Sequence, residues 1–129
     1  MTPELTALTL AALLQVLQFV AYSITAQRQV GTKYAASPRD TPPNLTGKAG
    51  RLQRAMDNHF EGLILFGIAV MVITYSGQND EKTALACAIY LIARVLYVPA
   101  YVFGFSPWRS LIWFIGFLAT VYLLIAALM

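Results

Sequence analysis

The sequence predicts an all-α integral membrane protein, a bundle of four spanning helices that uses residues 1–129 as a single domain. Three observations carry this reading. The chain of 129 residues is 58% hydrophobic and 12% charged, with mean hydropathy +0.62, which lies outside the range of ordinary water-soluble domains. Its apolar residues gather into four runs, each close to the roughly 20 residues that cross a hydrocarbon core of about 30 Å. These are Leu5 to Ala26, Glu61 to Ser76 with a polar lead-in from Arg54, Thr83 to Phe105, and Pro107 to Met129. The third observation is the placing of the cations.

Arg28, Lys33, Arg39, Lys48, Arg51 and Arg54 fall between the first two spans, and Arg109 falls between the last two, on the same side after two further crossings. The opposite side holds Lys82, beside Asp80 and Glu81. By the positive-inside rule the long first connection is cytoplasmic and both termini face away from the cytoplasm. The net charge of +3 is therefore a topology signal, and no nucleic-acid partner is needed to explain it.

Met1-Thr2-Pro3-Glu4 lacks the basic region of a secretory signal, and the apolar run behind it is too long for one, so the first run reads as a retained helix. Within it, Gln15 and Gln18 stand three residues apart on one face, where amides join neighbouring membrane helices. From Gly31 to Gly50 the chain is rich in proline, glycine and small polar residues. No helical or strand period survives, and the stretch reads as a cytoplasmic loop of about 20 residues.

The second helix opens on a charged cluster, Arg51 to Glu61. At 100° per residue Arg51, Arg54, Asn58 and Glu61 share one stripe. A charge near the bilayer midplane costs about 2.5–3.5 kcal/mol on insertion scales, so these groups sit near the interface or are paired. His59 reads as an interfacial or interhelix hydrogen bonder rather than a base. Asp80 and Glu81 suit the positive end of the third helix's dipole. Cys87, the only cysteine, lies inside the third span and reads as a small core residue with no intrachain disulfide.

Tyr90, Arg94, Tyr97 and Tyr101 again fall on a single face. Arg94 lies about eleven residues into its helix and requires a partner. Glu61 and Asp57 read as the available intramembrane acids, which leaves two readings open: a structural Arg94–Glu61 ion pair, or a polar cavity lined by both that also holds a charged ligand. Pro99 removes one backbone hydrogen bond and bends this helix near its end. Ser106 then reads as the N-cap of the fourth helix, with Pro107 at its first position. Arg109 and Ser110 follow in the first turn, where a cation opposes the dipole. They are either an anion site or an interfacial topology signal.

Arg54-Ala55-Met56-Asp57-Asn58-His59-Phe60-Glu61 before an apolar run, then Ala93-Arg94-Val95-Leu96-Tyr97-Val98-Pro99-Ala100-Tyr101, then Pro107-Trp108-Arg109-Ser110, together resemble the MAPEG family, the membrane-associated proteins in eicosanoid and glutathione metabolism. The resemblance spans all four helices in order. It implies a homotrimer of four-helix subunits in the lipid bilayer, with glutathione bound between neighbouring subunits at the cytoplasmic side as co-substrate. Arg54, Asn58 and Glu61 would be the second-helix ligands, and Arg94, Tyr97 and Tyr101 the third-helix ligands. Arg109 and Ser110 would be the catalytic pair beside the thiol, with Arg51 and Arg28 as further carboxylate ligands; no metal is implied. Two departures stand out: Gly62 follows Glu61 where the eicosanoid enzymes often have a polar or aromatic residue, and the proline common a little further on is replaced within Leu63-Ile64-Leu65-Phe66.

The chemistry fits. Glutathione carries two carboxylates and an ammonium, and these helix faces offer several guanidinium forks and an acid. A thiol of reference pKa about 8.5 becomes half ionised at pH 7 if lowered by about 1.5 units, at about 2 kcal/mol. The expectation is thiolate attack on a lipophilic electrophile or hydroperoxide arriving through the bilayer. Two further readings are a non-catalytic MAPEG-fold membrane subunit that binds lipid or joins a larger complex, and a small four-helix exporter, whose usual first-span carboxylate has no counterpart after Glu4.

Overall fold

The computed structural model describes residues 1–31 and 45–129; Lys33, Arg39 and most of the long first connection lie outside the described residues. Four helices follow in order: α1, Pro3–Val30; α2, Gly47–Ser76; α3, Glu81–Val102; and α4, Trp108–Leu128. Each is long and apolar enough to cross a membrane, and the chain is a multi-pass integral membrane protein.

Local chemistry fixes the ends. Thr2 caps α1, its hydroxyl accepting from the Leu5 N–H at 3.2 Å, with Pro3 at the first helical position. α2 starts at Gly47, four residues before the expected Arg51. The Gln29 side chain accepts from the Thr46 N–H at 3.1 Å and donates to the Thr46 carbonyl at 2.8 Å, so the last turn of α1 holds the chain where α2 begins. Gly77, at φ 70°, ends α2 by letting the Gln78 N–H reach the Ile73 carbonyl at 3.0 Å. Asp80 does more than suit a dipole. It forms a reciprocal capping box with Thr83, at 2.8 and 2.9 Å.

At the other end of α3, the helix continues through Pro99 but stops at Val102, short of the expected Phe105. Gly104, at φ 72°, reverses the chain while the Phe105 N–H returns to the Ala100 carbonyl at 2.8 Å. The expected Ser106 cap of α4 is not formed. The Ser106 N–H closes on the Gly104 carbonyl at 2.9 Å, within the turn, so Pro107 becomes the N-cap and the helix starts at Trp108 with no side-chain cap.

In cross-section the bundle is a rhombus: α2 and α3 each pack against all three other helices, whereas α1 and α4 do not touch. The core combines small residues such as Ala7, Ala11, Ala69 and Ala119, which let helices approach closely, with Ile73, Leu123 and a Phe66–Tyr90 stack at 3.9 Å and 9°. Cys87 lies fully buried there, as expected. Leu17, Ile64, Leu96 and Ile125 point outward, as a lipid-facing surface requires.

Two polar ties cross the core. His59, fully buried, meets Gln15 through Nδ1 and Oε1 at 2.7 Å, the interhelix role read for Gln15 and one of the two read for His59. Gln18 departs from its expectation. Among the described residues its amide reaches only the Leu14 carbonyl of its own helix, at 3.5 Å, because an adjacent turn of α1 presents that acceptor. The second tie was not expected: Glu4, 1% exposed, lies 2.5 Å from the Thr83 hydroxyl, so Asp57 and Glu61 are not the only acids inside the bundle. Thr83→Val should lower stability in detergent by about 2–3 kcal/mol by stranding Glu4 and by opening the capping box with Asp80, and Glu4→Leu with Thr83→Val should recover only the share due to Glu4. Equal loss in the single and double variants, read as denaturation midpoints, would contradict this.

Candidate functional site

The start of α2, the end of α3 and the start of α4 meet at one end of the bundle, and they bring three guanidinium groups together. Arg51 Nη1 donates to the Val102 carbonyl at 3.2 Å, and Arg54 Nε donates to the Tyr101 hydroxyl at 3.0 Å. Arg109 places its guanidinium carbon 4.8 Å from the centroid of the Tyr101 ring, and Arg54 lies 5.9 Å from it. Tyr97 packs against Tyr101, ring centroids 5.6 Å apart. The stripe on α2 thus faces the stripe on α3, as the spacing of three and four residues predicts.

Among the described residues, the hydrogen bonds of Arg51 and Arg54 go to a carbonyl and a phenol, and Arg109 lies on an aromatic face. Among the described residues no carboxylate is bonded to them. Cation–π contacts of this kind offset part of the repulsion among like charges, about 0.5–2 kcal/mol each, and leave the positive potential in place.

One turn deeper, Arg94 is 3% exposed. Its Nη1 donates to Asn58 Oδ1 at 2.9 Å and its Nη2 to the Asn58 carbonyl at 2.8 Å. Its guanidinium carbon also lies 5.2 Å from the Tyr97 centroid and 5.8 Å from that of Tyr90. The ion pair considered for Arg94 and Glu61 is therefore absent: Asn58 takes both terminal nitrogens. What makes this possible is Gly62. A Cβ at that position would stand 2.5 Å from Arg94 Nη2, so only a bare α-carbon admits the guanidinium to the α2 backbone.

Arg94 and Glu61 do line one cavity, which is the geometric part of the second of the two arrangements left open by the sequence. It is a crevice of about 180 Å³ between α2, α3 and α4, bounded also by Asn58, Gly62, Tyr90 and Trp113. A wider hollow of about 600 Å³ adjoins it, lined by Asn58, Tyr97, Arg109, Ser110 and Trp113. Asn58 and Trp113 are walls of both. Glu61 and Ser110 are exposed.

Of the residues read from the sequence, Arg51, Arg54, Asn58, Glu61, Arg94, Tyr97, Tyr101, Arg109 and Ser110 thus fall on the outer cluster, the hollow or the crevice. Arg28 does not join them. It is exposed in the last turn of α1, and none of the cluster's hydrogen bonds reaches it. Sequence reasoning missed Gly62 as the seat of Arg94, Trp113 as a shared wall and Tyr90 as a crevice residue. The available signals were the departure at Gly62 and the position of Tyr90 on the Arg94 face.

A model of the MAPEG family matches residues 5–129, essentially the whole chain. No curated protein and no solved structure matches it.

Proposed function

Because the chain belongs to the MAPEG family, we propose that it is a glutathione-dependent membrane transferase or peroxidase, activating the glutathione thiol against lipophilic electrophiles or hydroperoxides. The observation that carries this reading is the group of three guanidiniums, Arg51, Arg54 and Arg109, gathered around the end of α3 without a carboxylate partner among the described residues. A dianionic peptide supplies the missing charge in bidentate form.

In this reading Arg51 and Arg54 receive the carboxylates, and exposed Glu61 receives the ammonium. The thiol lies in the hollow beside Arg109 and Ser110, where a cation and a hydroxyl donor favour the thiolate. With an electrophile, sulfur forms the new bond as the leaving group departs. With a hydroperoxide, sulfur takes the distal oxygen, the O–O bond breaks and the alcohol leaves with a proton. A second glutathione then reduces the sulfenic acid to disulfide and water. The basic end faces the cytoplasm, where glutathione is held, and both termini lie on the other side.

Exposed Glu61 on a lipid-facing helix also supports assembly as a homotrimer, since burial against a neighbouring copy removes it from hydrocarbon and lets that copy's Arg28 complete the site. Titrating glutathione into the purified protein tests the reading. Binding in the micromolar to millimolar range is expected, weakened about 10- to 100-fold in Arg54→Ala as one charge-assisted contact is lost. Absence of binding at millimolar glutathione would instead favour a non-catalytic membrane subunit.

A further inference from the structure

At the end of the bundle away from the arginine cluster, α3 and α4 leave a groove of about 430 Å³ between them that the glutathione reading does not use. Its floor is made by Ala86 and Ala119, both buried, whose small side chains let the surface sink between the helices. Leu85, Ile89, Ile115 and Leu118 form its walls and are exposed on the lipid-facing surface. Its mouth is different. Lys82 and Tyr122 border it there, level with the first turn of α3, where headgroups meet hydrocarbon.

Shape narrows the occupant. α3 and α4 run antiparallel, so the steps from Lys82 to Ile89 and from Tyr122 back to Ile115 lie side by side and give the groove a length of about 10 Å at 1.5 Å per residue. That is about two-thirds of the roughly 15 Å that one leaflet contributes to a hydrocarbon core of about 30 Å. A cavity of about 150 Å³ holds benzene, and this groove offers nearly three times that space in elongated form. It suits an extended hydrocarbon chain. A helix from a second copy, about 10 Å across, is too broad to sink between two helices whose axes lie roughly 8–10 Å apart.

Charge narrows it further. Lys82 stands in the first turn of α3, where a cation opposes the helix dipole, and among the described residues it has no hydrogen bond or ion pair. Asp80 is committed to the capping box, its Oδ1 accepting from the Thr83 N–H at 2.8 Å. Glu81 is exposed beside Lys82, about 100° round the helix from it and outside the groove, and likewise has no partner among the described residues. One free ammonium and one free carboxylate at the mouth of a chain-shaped groove complement a headgroup that carries a phosphate and an ammonium of its own.

We propose that this groove is a phospholipid site, holding one acyl chain of a phosphatidylethanolamine-type lipid from the leaflet away from the arginine cluster. Lys82 donates to the phosphate, Glu81 accepts from the lipid ammonium, and Tyr122 flanks the headgroup at the interface. The lipid's second chain stays in the bilayer.

Native mass spectrometry tests this on the full-length protein, stripped of lipid in detergent and titrated with palmitoyl-oleoyl-phosphatidylethanolamine, and reads the oligomeric state in the same spectra. One tightly retained lipid per subunit is expected. Phosphatidylcholine with the same chains should be held about three-fold less well, since its quaternary ammonium has no N–H for Glu81, and phosphatidylglycerol, which brings no cation, should do no better. Lys82→Ala should weaken retention about ten-fold, and Lys82→Arg should preserve it. Ile115→Trp, at an exposed wall position, should obstruct the chain and lower retention of every headgroup.

Glutathione affinity should be the same in all three variants. Equal retention of the three headgroups by the parent protein overturns the site even if a variant fails to fold, and so does retention indifferent to Lys82→Ala. A change of oligomeric state in Ile115→Trp with lipid retention unaltered overturns it as well, by assigning the groove to a second copy.

Discussion

Gly62→Ala is expected to be among the most destabilising single substitutions in this bundle, although alanine in place of glycine within a helix ordinarily gains about 1 kcal/mol. The added carbon would stand 2.5 Å from Arg94 Nη2, and the guanidinium, 3% exposed, can clear it only by moving into the adjoining crevice, away from Asn58. Both contacts to Asn58, at 2.9 and 2.8 Å, are lost together. Hydrogen bonds to a charged donor contribute about 1.5–3 kcal/mol each, and a stranded buried charge costs more than an absent one, so the net loss should be about 3–5 kcal/mol.

Chemical denaturation in detergent measures it. Gly62→Ala combined with Arg94→Met should be more stable than Gly62→Ala alone, because the charge without partners has gone. If the alanine variant unfolds within about 0.5 kcal/mol of the parent, Gly62 is not the seat of Arg94.

The second large effect concerns Arg109. In the proposed site its guanidinium holds the glutathione thiol ionised, at a pKa near 7 rather than the reference of about 8.5. A thiol with a lowered pKa is half thiolate at pH 7, while one at about 8.5 is about 3% thiolate, so Arg109→Ala should reduce bound thiolate about 15-fold at neutral pH. Turnover at pH 7 should fall at least as far.

The pH dependence supplies the sign. Raising the pH above about 8.5 ionises the thiol without help, so the variant should regain most of its thiolate there while the parent, already half ionised at pH 7, gains only about two-fold. The ultraviolet absorbance of the thiolate follows this directly. Unchanged absorbance in Arg109→Ala, or a deficit that persists at high pH, would place the thiol elsewhere. Glutathione affinity should fall less than in Arg54→Ala, because in this reading Arg54 carries a carboxylate and Arg109 does not.

Four spans, their order and the meeting of two ionic faces were legible because helical periodicity and hydropathy are local properties of the chain. Arg51, Arg54 and Asn58 point at α3 because three- and four-residue spacing leaves them no other face. The partner of Arg94 was not legible in the same way. Charge complementarity nominated Glu61, but the outcome was decided by the missing side chain at Gly62, a packing fact visible only once two backbones are placed together. Glu4 was overlooked for a related reason: near a terminus it resembles a solvated helix-start acid, and only the arrival of Thr83 from another helix encloses it. The start of α4 turned on backbone bonds within the 103–106 turn, which residue preference alone misassigned to Ser106.

The rhomboid arrangement of the helices has a consequence for motion. α2 and α3 form its short diagonal, and they carry every charged residue of the candidate site except Arg109, so that chemistry rests on the two segments held from three sides. α1 and α4 occupy the acute corners, each held by two neighbours. Backbone amides along the diagonal should therefore exchange with deuterium most slowly, with α1 and α4 opening first. An acceptor could then enter and leave beside a breathing α4 while the arginines of α2 and α3 stay in register.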